Sequence, residues 1–410
     1  FAEEKKETAK VDLSARPASD LILVIDQSGS MQGEKISLVR NTLEYLIGLL
    51  GDDDRLSLIL FNSSSTRLTP LQRMNDGNKQ KLNSIVSKIT ANGGTDICNG
   101  MEYALATIRD RKVKNPITSI FLLSDGLDGG AQIKFQKSLE TANLDDNFTI
   151  NSFGFGSDHE PELMTAIAGT KGGNFYFVEN LDSLDECFIN AFGGLISIAA
   201  QNVAFNVNLA KDEFQVNVSK AYGNWKCFPS DNFYQYHLNY LMAGISKEFM
   251  LLLDIPAINT AGKHKILNCV FEAENTSGDK KTQFSKELFI EIVNDEEEEK
   301  SQEHDKNVQL NHIRLRGADL LTESMKLADA GQYDKAKLLI DGFVAEIVAS
   351  KLESDDSIAQ LLKDLQNTHS GMHAQHYNLV GKKRMVEMQG AYCEKKSRNN
   401  VDLYSNNIQK

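Results

Sequence analysis

The sequence predicts an α/β domain built on a doubly wound, mostly parallel sheet, followed by an antiparallel β-sandwich and a C-terminal α-helical hairpin. Three observations carry this expectation. Between residues 21 and 196 short apolar runs alternate with amphipathic helical stretches, which implies parallel strands covered on both faces. From 200 to 293 the pattern changes to β-branched and aromatic alternation, broken by Asn-Thr, Ser-Gly and Gly-Lys turns. Beyond 303 the apolar spacing becomes helical.

Taken in order, Leu21-Ile-Leu-Val-Ile25 is too short for a free-standing helix and reads as a buried strand ending at Asp26. Residues 34–50 place Ile36, Val39, Leu43, Leu46, Ile47 and Leu50 on one helical stripe, a packing face. A strand over 55–61 and a helix over 78–89 come next. A second helix over 96–109 is capped near Thr95 or Asp96. Strand 117–123, helix 132–144, strand 148–155 and helix 160–168 continue the alternation, and strand 174–178 and helix 181–195 close it. In the β-region, strands are expected at 203–209, 214–218, 249–255, 264–272 and 286–293. Trp225, Cys227 and Phe228 read as packing residues rather than a ligand site.

These patterns divide the chain into an N-terminal segment (1–18), the α/β domain (19–197), the β-sandwich (198–293), an acidic linker (294–302), a helical hairpin or bundle (303–368) and a polar tail (369–410). Residues 10–15 have the alternation of one more sandwich strand, which would make the α/β domain an insertion in the β-domain. The run Asn294-Asp-Glu-Glu-Glu-Glu-Lys300 reads as solvated linker. Ala328-Asp-Ala-Gly-Gln-Tyr-Asp-Lys-Ala336 resembles the turn of a tetratricopeptide hairpin; with one copy, an isolated αα-hairpin is the better reading. In the tail, His369, His373 and His376 lack a fourth ligand and read as exposed polar residues rather than a zinc site.

A net charge of −13 disfavours nucleic acid as the main partner, because nothing global offsets phosphate repulsion. No apolar run approaches the ~18 residues needed to span a bilayer, so membrane insertion is not expected. Cys98, Cys187, Cys227, Cys269 and Cys393 are an odd, scattered set without C-x-x-C, which suits reduced thiols and a cytoplasmic setting. Secretion stays open, since the chain begins at Phe1 rather than Met and a signal peptide is a conceivable earlier segment.

The chemistry lies at strand ends. Asp26, Ser28 and Ser30 follow the first strand at alternate positions, where a loop folding back turns one carboxylate and two hydroxyls toward a point. Converging oxygens suit a hard divalent cation. Ala91-Asn-Gly-Gly-Thr-Asp96 offers the Thr95 hydroxyl just before a helix, and Ile117-Thr-Ser-Ile-Phe-Leu-Leu-Ser-Asp-Gly126 delivers Asp125 at the end of a second buried strand. Open α/β sheets bind ligands at the carboxyl ends of their strands. Gly154-Phe-Gly156 lacks the third glycine of a dinucleotide fingerprint, so a nucleotide site is not expected.

Together the D-x-S-x-S, Thr and Asp pieces resemble the metal-ion-dependent adhesion site of von Willebrand factor type A domains, over roughly residues 19–197. The resemblance implies a Rossmann-like fold and a metal held by Asp26, Ser28, Ser30, Thr95 and Asp125. It implies direct ligation by the hydroxyls, with one or both carboxylates acting through water. Mg2+ is the expected ion, with Mn2+ or Ca2+ as alternatives. The partner would be a protein whose Asp or Glu replaces a metal-bound water. The order of the three parts also resembles plant RING-finger proteins and bacterial proteins that carry a type A domain. Lys247-Glu-Phe-Met-Leu-Leu-Leu-Asp-Ile-Pro256 matches a strand seen there. This chain has no RING cysteine–histidine array, so ubiquitin-ligase activity is not carried over. A scaffold subunit with a purely structural metal is the alternative function. A metal-dependent hydrolase is less favoured, because the nearby loops offer no His or unpaired carboxylate as a general base, and His159, near a helix start, reads as a cap or surface residue.

Overall fold

The structure is a computed structural model that describes residues 16–125, 128–144, 147–155, 160–178, 181–210, 215–228, 230, 232–243, 247–276, 280–293 and 304–394. The expectations for 10–15, for the acidic run 294–302 and for His159 lie outside the described residues. The chain divides into two compact units between Ala199 and Ala200.

The first unit is a six-stranded sheet in the order β3-β2-β1-β4-β5-β6. Its strands are β1 (Ser19–Asp26), β2 (Arg55–Phe61), β3 (Ser65–Arg73), β4 (Ile117–Ser124), β5 (Thr149–Phe155) and β6 (Phe175–Val178). All neighbours are parallel except the β2–β3 pair. Every residue of β1 and β4 is buried, as the unbroken apolar runs require of strands covered on both faces. Helices α1 (Glu34–Leu49), α2 (Asp76–Val86), α3 (Ile97–Asp110), α4 (Ala131–Ala142), α5 (Pro161–Gly169) and α6 (Leu181–Ile196) complete the unit.

One part of the core joins Val24 and Phe61 of the sheet to Met101 and Leu105 of α3 and Phe135 of α4. Gly100 lets α3 approach closely, because a Cβ there would stand 2.9–3.0 Å from Phe61 and Val24. Elsewhere Phe188 of α6 stacks on Phe153 with ring centroids 4.2 Å apart. The edge strand β3 was not expected from the sequence. It is largely exposed and contains Pro70, which an edge tolerates and which weakens the strand signal.

The chain winds from β1 outward through β2 and β3, then crosses back so that β4 lies on the other side of β1. The order therefore reverses between β1 and β4, the crevice where such sheets bind ligands. Ile25 is in register with Leu123, so Asp26 and Asp125 leave adjacent strands at the same end.

The second unit contains a five-stranded antiparallel sheet, a two-stranded antiparallel ribbon and C-terminal helices. The sheet order is β13-β12-β7-β10-β9, and the ribbon is β11-β8. Strands β7 (Ile198–Leu209), β8 (Asn217–Tyr222), β9 (Trp225–Phe228), β10 (Phe233–Met242), β11 (Met250–Asp254), β12 (Gly262–Asn275) and β13 (Lys281–Ile292) supply them. Val218, Leu251 and Leu253 of the ribbon pack on Val207, Tyr234 and Leu267 of the sheet. Trp225 joins an aromatic cluster with Phe205, Tyr236 and Phe249, whereas Cys227 and Phe228 are exposed.

Helices α7 (Lys306–Asp329), α8 (Tyr333–Ala349) and α9 (Asp356–Gly371) follow. The polar-tail reading of 369–410 needs correction over its described part. After a short turn, a π-helical stretch at Tyr377–Gly381 leads into α10 (Lys382–Glu394). Tyr377, Met385 and Met388 are buried in the same core as Leu321, Ile340 and Leu361. Only a few apolar residues of this segment point inward, so its average polarity hid an amphipathic helix. Among the described residues no helix is long and apolar enough to cross a membrane.

Candidate metal centre

Each donor is placed by its own local device. Asp26 ends β1, and its carboxylate caps the next turn by accepting from the Ser28 amide across 2.7 Å. A single 3-10 turn, Gly29–Met31, then carries Ser30 outward while Met31 anchors it in the core. The 91–95 loop is bound to this turn. The Gly29 amide donates to the Gly93 carbonyl (2.9 Å) and the Asn92 amide to the Gln27 carbonyl (2.6 Å). Gly93 sits at φ +82°, a conformation that residues with a Cβ rarely adopt, and a Cβ there would stand 3.0 Å from the Asn62 side chain. Asp96 caps α3 by accepting from the Asn99 amide (3.0 Å), leaving Thr95 just ahead of the helix.

Four of the five expected residues form one hydrogen-bonded chain. The Ser28 and Ser30 hydroxyls are 3.0 Å apart, and Ser30 Oγ donates to Asp125 Oδ1 across 2.8 Å. Asp26 and Asp125 are buried and Ser30 is exposed, so the group opens to solvent on the Ser30 side. Thr95 is half-buried on the adjoining loop and makes no hydrogen bond to the other four among the described residues.

Two further residues belong to the site. Ser124 Oγ donates to Asp26 Oδ2 across 2.6 Å, and Lys35, in the first turn of α1, ion-pairs with Asp125 Oδ2. Neither was expected from the sequence, although each left a signal. Ser124 is a hydroxyl inside an apolar strand, which demands a buried partner. Lys35 is a cation at a helix N-terminus, where the dipole disfavours it unless something else holds it.

Burial raises the Asp26 pKa above the ordinary carboxylate range. Hydrogen bonds from Ser124 and Ser28 oppose that shift, and the nearby charge of Asp125 adds to it. Two buried carboxylates side by side thus call for positive charge.

The oxygen set fits a small divalent cation. Neighbouring ligands of octahedral Mg2+, at about 2.0–2.1 Å from the metal, stand about 2.9 Å apart, close to the 3.0 and 2.8 Å separations seen here. Elsewhere, among the described residues, no three His, Cys, Asp or Glu side chains are grouped to hold a metal. His369 instead lies 3.4 Å from Asp341, and His373 caps the following turn.

Residues 20–189 match the von Willebrand factor type A domain. The first unit contains a type A domain. Such domains are often adhesion or protein-interaction modules. The chain is 27% identical over 261 residues to the probable E3 ubiquitin-protein ligase WAVH2 of Arabidopsis thaliana, covering 62% of this chain and 34% of that protein. It is 25% identical over 245 residues to the uncharacterized protein YfbK of Escherichia coli, covering 56% of this chain and 42% of that protein. The match therefore spans between a third and a half of these relatives. A solved structure described as von Willebrand factor type A from Catenulispora acidiphila superposes with a TM-score of 0.71 at 16% identity, covering 90% of this chain and 89% of that one. The overall fold, a type A domain with additional β and helical regions, is thus shared across most of both chains.

Proposed function

We propose that the type A domain is a metal-dependent protein-interaction module. Asp26, Ser28, Ser30, Thr95 and Asp125 would hold a divalent cation, Mg2+ in the first instance, with Mn2+ or Ca2+ as alternatives. The cation would supply a site for an Asp or Glu side chain of a partner protein. One observation carries this reading. The Ser28–Ser30–Asp125 chain has the spacing of neighbouring metal ligands and lies at the sheet's switch point with its exposed member outward.

The reading assigns no catalytic residue. All four oxygens of Asp26 and Asp125 accept hydrogen bonds, which suits carboxylates held in place as ligands. Ligase activity is named for the plant relatives and is not transferred.

The test is a pull-down from native extract using the full chain as bait, in Mg2+ and in EDTA, with a double Asp26→Ala, Asp125→Ala bait alongside. The proposal expects partners retained only by the wild-type bait in Mg2+. Equal retention by the double variant would overturn it.

A further inference from the structure

We propose that Lys35 is a resident counter-ion that competes with the divalent cation, so that loading the site requires the lysine to leave Asp125. This inference rests on the metal reading above and concerns what the site does before the metal arrives.

Three features support it. First, the Lys35 ammonium contacts Asp125 Oδ2, while Ser30, an expected ligand, occupies Oδ1 of the same carboxylate. A cation already holds one side of the cradle. Second, the charge balance is incomplete. Asp26 and Asp125 are both buried, and among the described residues the other hydrogen bonds to them come from neutral hydroxyls and an amide. One ammonium offsets one of the two charges, whereas a divalent ion offsets both. Third, Lys35 has somewhere to go. Its side chain is 25% exposed beside a fully buried partner carboxylate, and it sits in the first turn of α1 on a flexible four-carbon stem.

The site then has two charge-compensated states. In one, Lys35 braces α1 against the end of β4. In the other, the cation takes over Asp125 and the lysine swings into solvent. Any ligand favouring one state over the other shifts the balance only by its differential affinity. The lysine therefore lowers the apparent metal affinity and prevents two unpaired buried carboxylates from repelling each other when metal is scarce. An ordinary structural ion pair behaves differently: its loss weakens the domain equally with and without metal.

The experiment uses the full chain as wild type, Lys35→Met and Lys35→Gln. Mg2+ alone is titrated by calorimetry, and thermal unfolding is followed in EDTA and in saturating Mg2+. Both variants are expected to bind Mg2+ about tenfold more tightly. They should unfold at lower temperature than wild type in EDTA and at the same temperature in saturating Mg2+. Unchanged or weaker Mg2+ binding by the variants, with wild type binding normally, overturns the role of Lys35 and leaves the metal reading standing. No Mg2+ binding by any of the three overturns both. A measurement on wild type alone guards against variants that fail to fold. Amine-reactive labelling of Lys35, read by mass spectrometry, should rise severalfold when Mg2+ is added. Unchanged labelling overturns the proposal.

Discussion

The Ser124 hydroxyl donates to Asp26 Oδ2 across 2.6 Å, joining the last residue of β4 to the last residue of β1. This bond holds the Asp26 carboxylate in one orientation and stabilises its charge in a place where burial opposes that charge. Asp26 is wholly buried, at 0% exposure, so it forms the floor of the site rather than its solvent rim.

Asp26→Asn separates metal binding from stability. The amide keeps the shape, still accepts from the Ser28 amide, and meets a Ser124 hydroxyl able to accept as well as donate. Because the folded-state pKa of Asp26 is raised, ionising it costs stability as pH rises through that pKa. Near neutral pH in EDTA the variant should therefore match or exceed wild type, within about 0.5 kcal/mol if it falls short. Mg2+ should no longer raise its unfolding temperature. A clear loss of stability in EDTA, or a retained Mg2+ shift, would show that the charge is not reserved for a metal.

Thr95→Ala tests the one expected ligand that stands outside the hydrogen-bonded chain. Removing its half-buried hydroxyl should change stability in EDTA by no more than about 0.5 kcal/mol. Mg2+ affinity, measured by calorimetry, should fall at least about tenfold. Equal affinity would remove Thr95 from the ligand set.

A second buried charge predicts an acid-sensitive element at the opposite end of the sheet. Arg16 holds both oxygens of Asp54, which also accepts from the Ser19 and Gly51 amides. Burial pushes the Asp54 pKa up, but the Arg16 hydrogen bond and charge, together with the Gly51 and Ser19 amides, outweigh it, so the net shift is downward. A depressed folded pKa contributes stability that is present above the unfolded-state value and lost as pH falls through the folded one. Arg16→Met should cost about 3 kcal/mol at neutral pH, by leaving a buried carboxylate unpaired. The deficit should shrink on acidification below the ordinary carboxylate range. Denaturant unfolding at neutral pH and again below the ordinary carboxylate range checks this, and a deficit independent of pH would assign the loss to packing.

Helix α10 should be integral to the second unit. Met385→Ala removes a buried side chain from the helical core and should destabilise that unit by about 2–4 kcal/mol. Hydrogen exchange resolved by segment should show faster exchange in α7 to α10 while β1 and β4 stay protected. Unchanged exchange in α7 would mean that the helix is a detachable tail.

The parts of this fold that were legible in the sequence are those where burial is one-sided or complete. The runs of β1 and β4, the stripe of α1 and the Asp96 cap of α3 each carry a strong periodic or chemical signal. The elements missed have weak signals for physical reasons. Strand β3 is exposed and contains a proline, and α10 buries only a few residues. Strand β9 is mostly exposed and β10 half-buried, and both are rich in polar and aromatic residues without clean alternation. Within the site, the residues that follow a familiar spacing were found, whereas the signals of Lys35, a cation at a helix start, and of Ser124, a hydroxyl in an apolar strand, point to partners only once register and helix placement are known. Nothing in their sequence neighbourhood says that a lysine on α1 and a serine on β4 meet two different aspartates.

The hydrogen bonds that assemble the site join residues 95 and 98 positions apart, with Gly93 contributing from a third segment. No short stretch of the chain can reproduce that cluster by itself. The donors come together only after β1 and β4 have paired in register and the 91–95 loop has closed over them. Occupancy by a metal would then be an inspection of workmanship: a nicked, mispaired or half-folded copy has nothing with which to hold the ion. Any partner that engages through the ion would thereby ignore damaged copies without needing a separate means of recognising them.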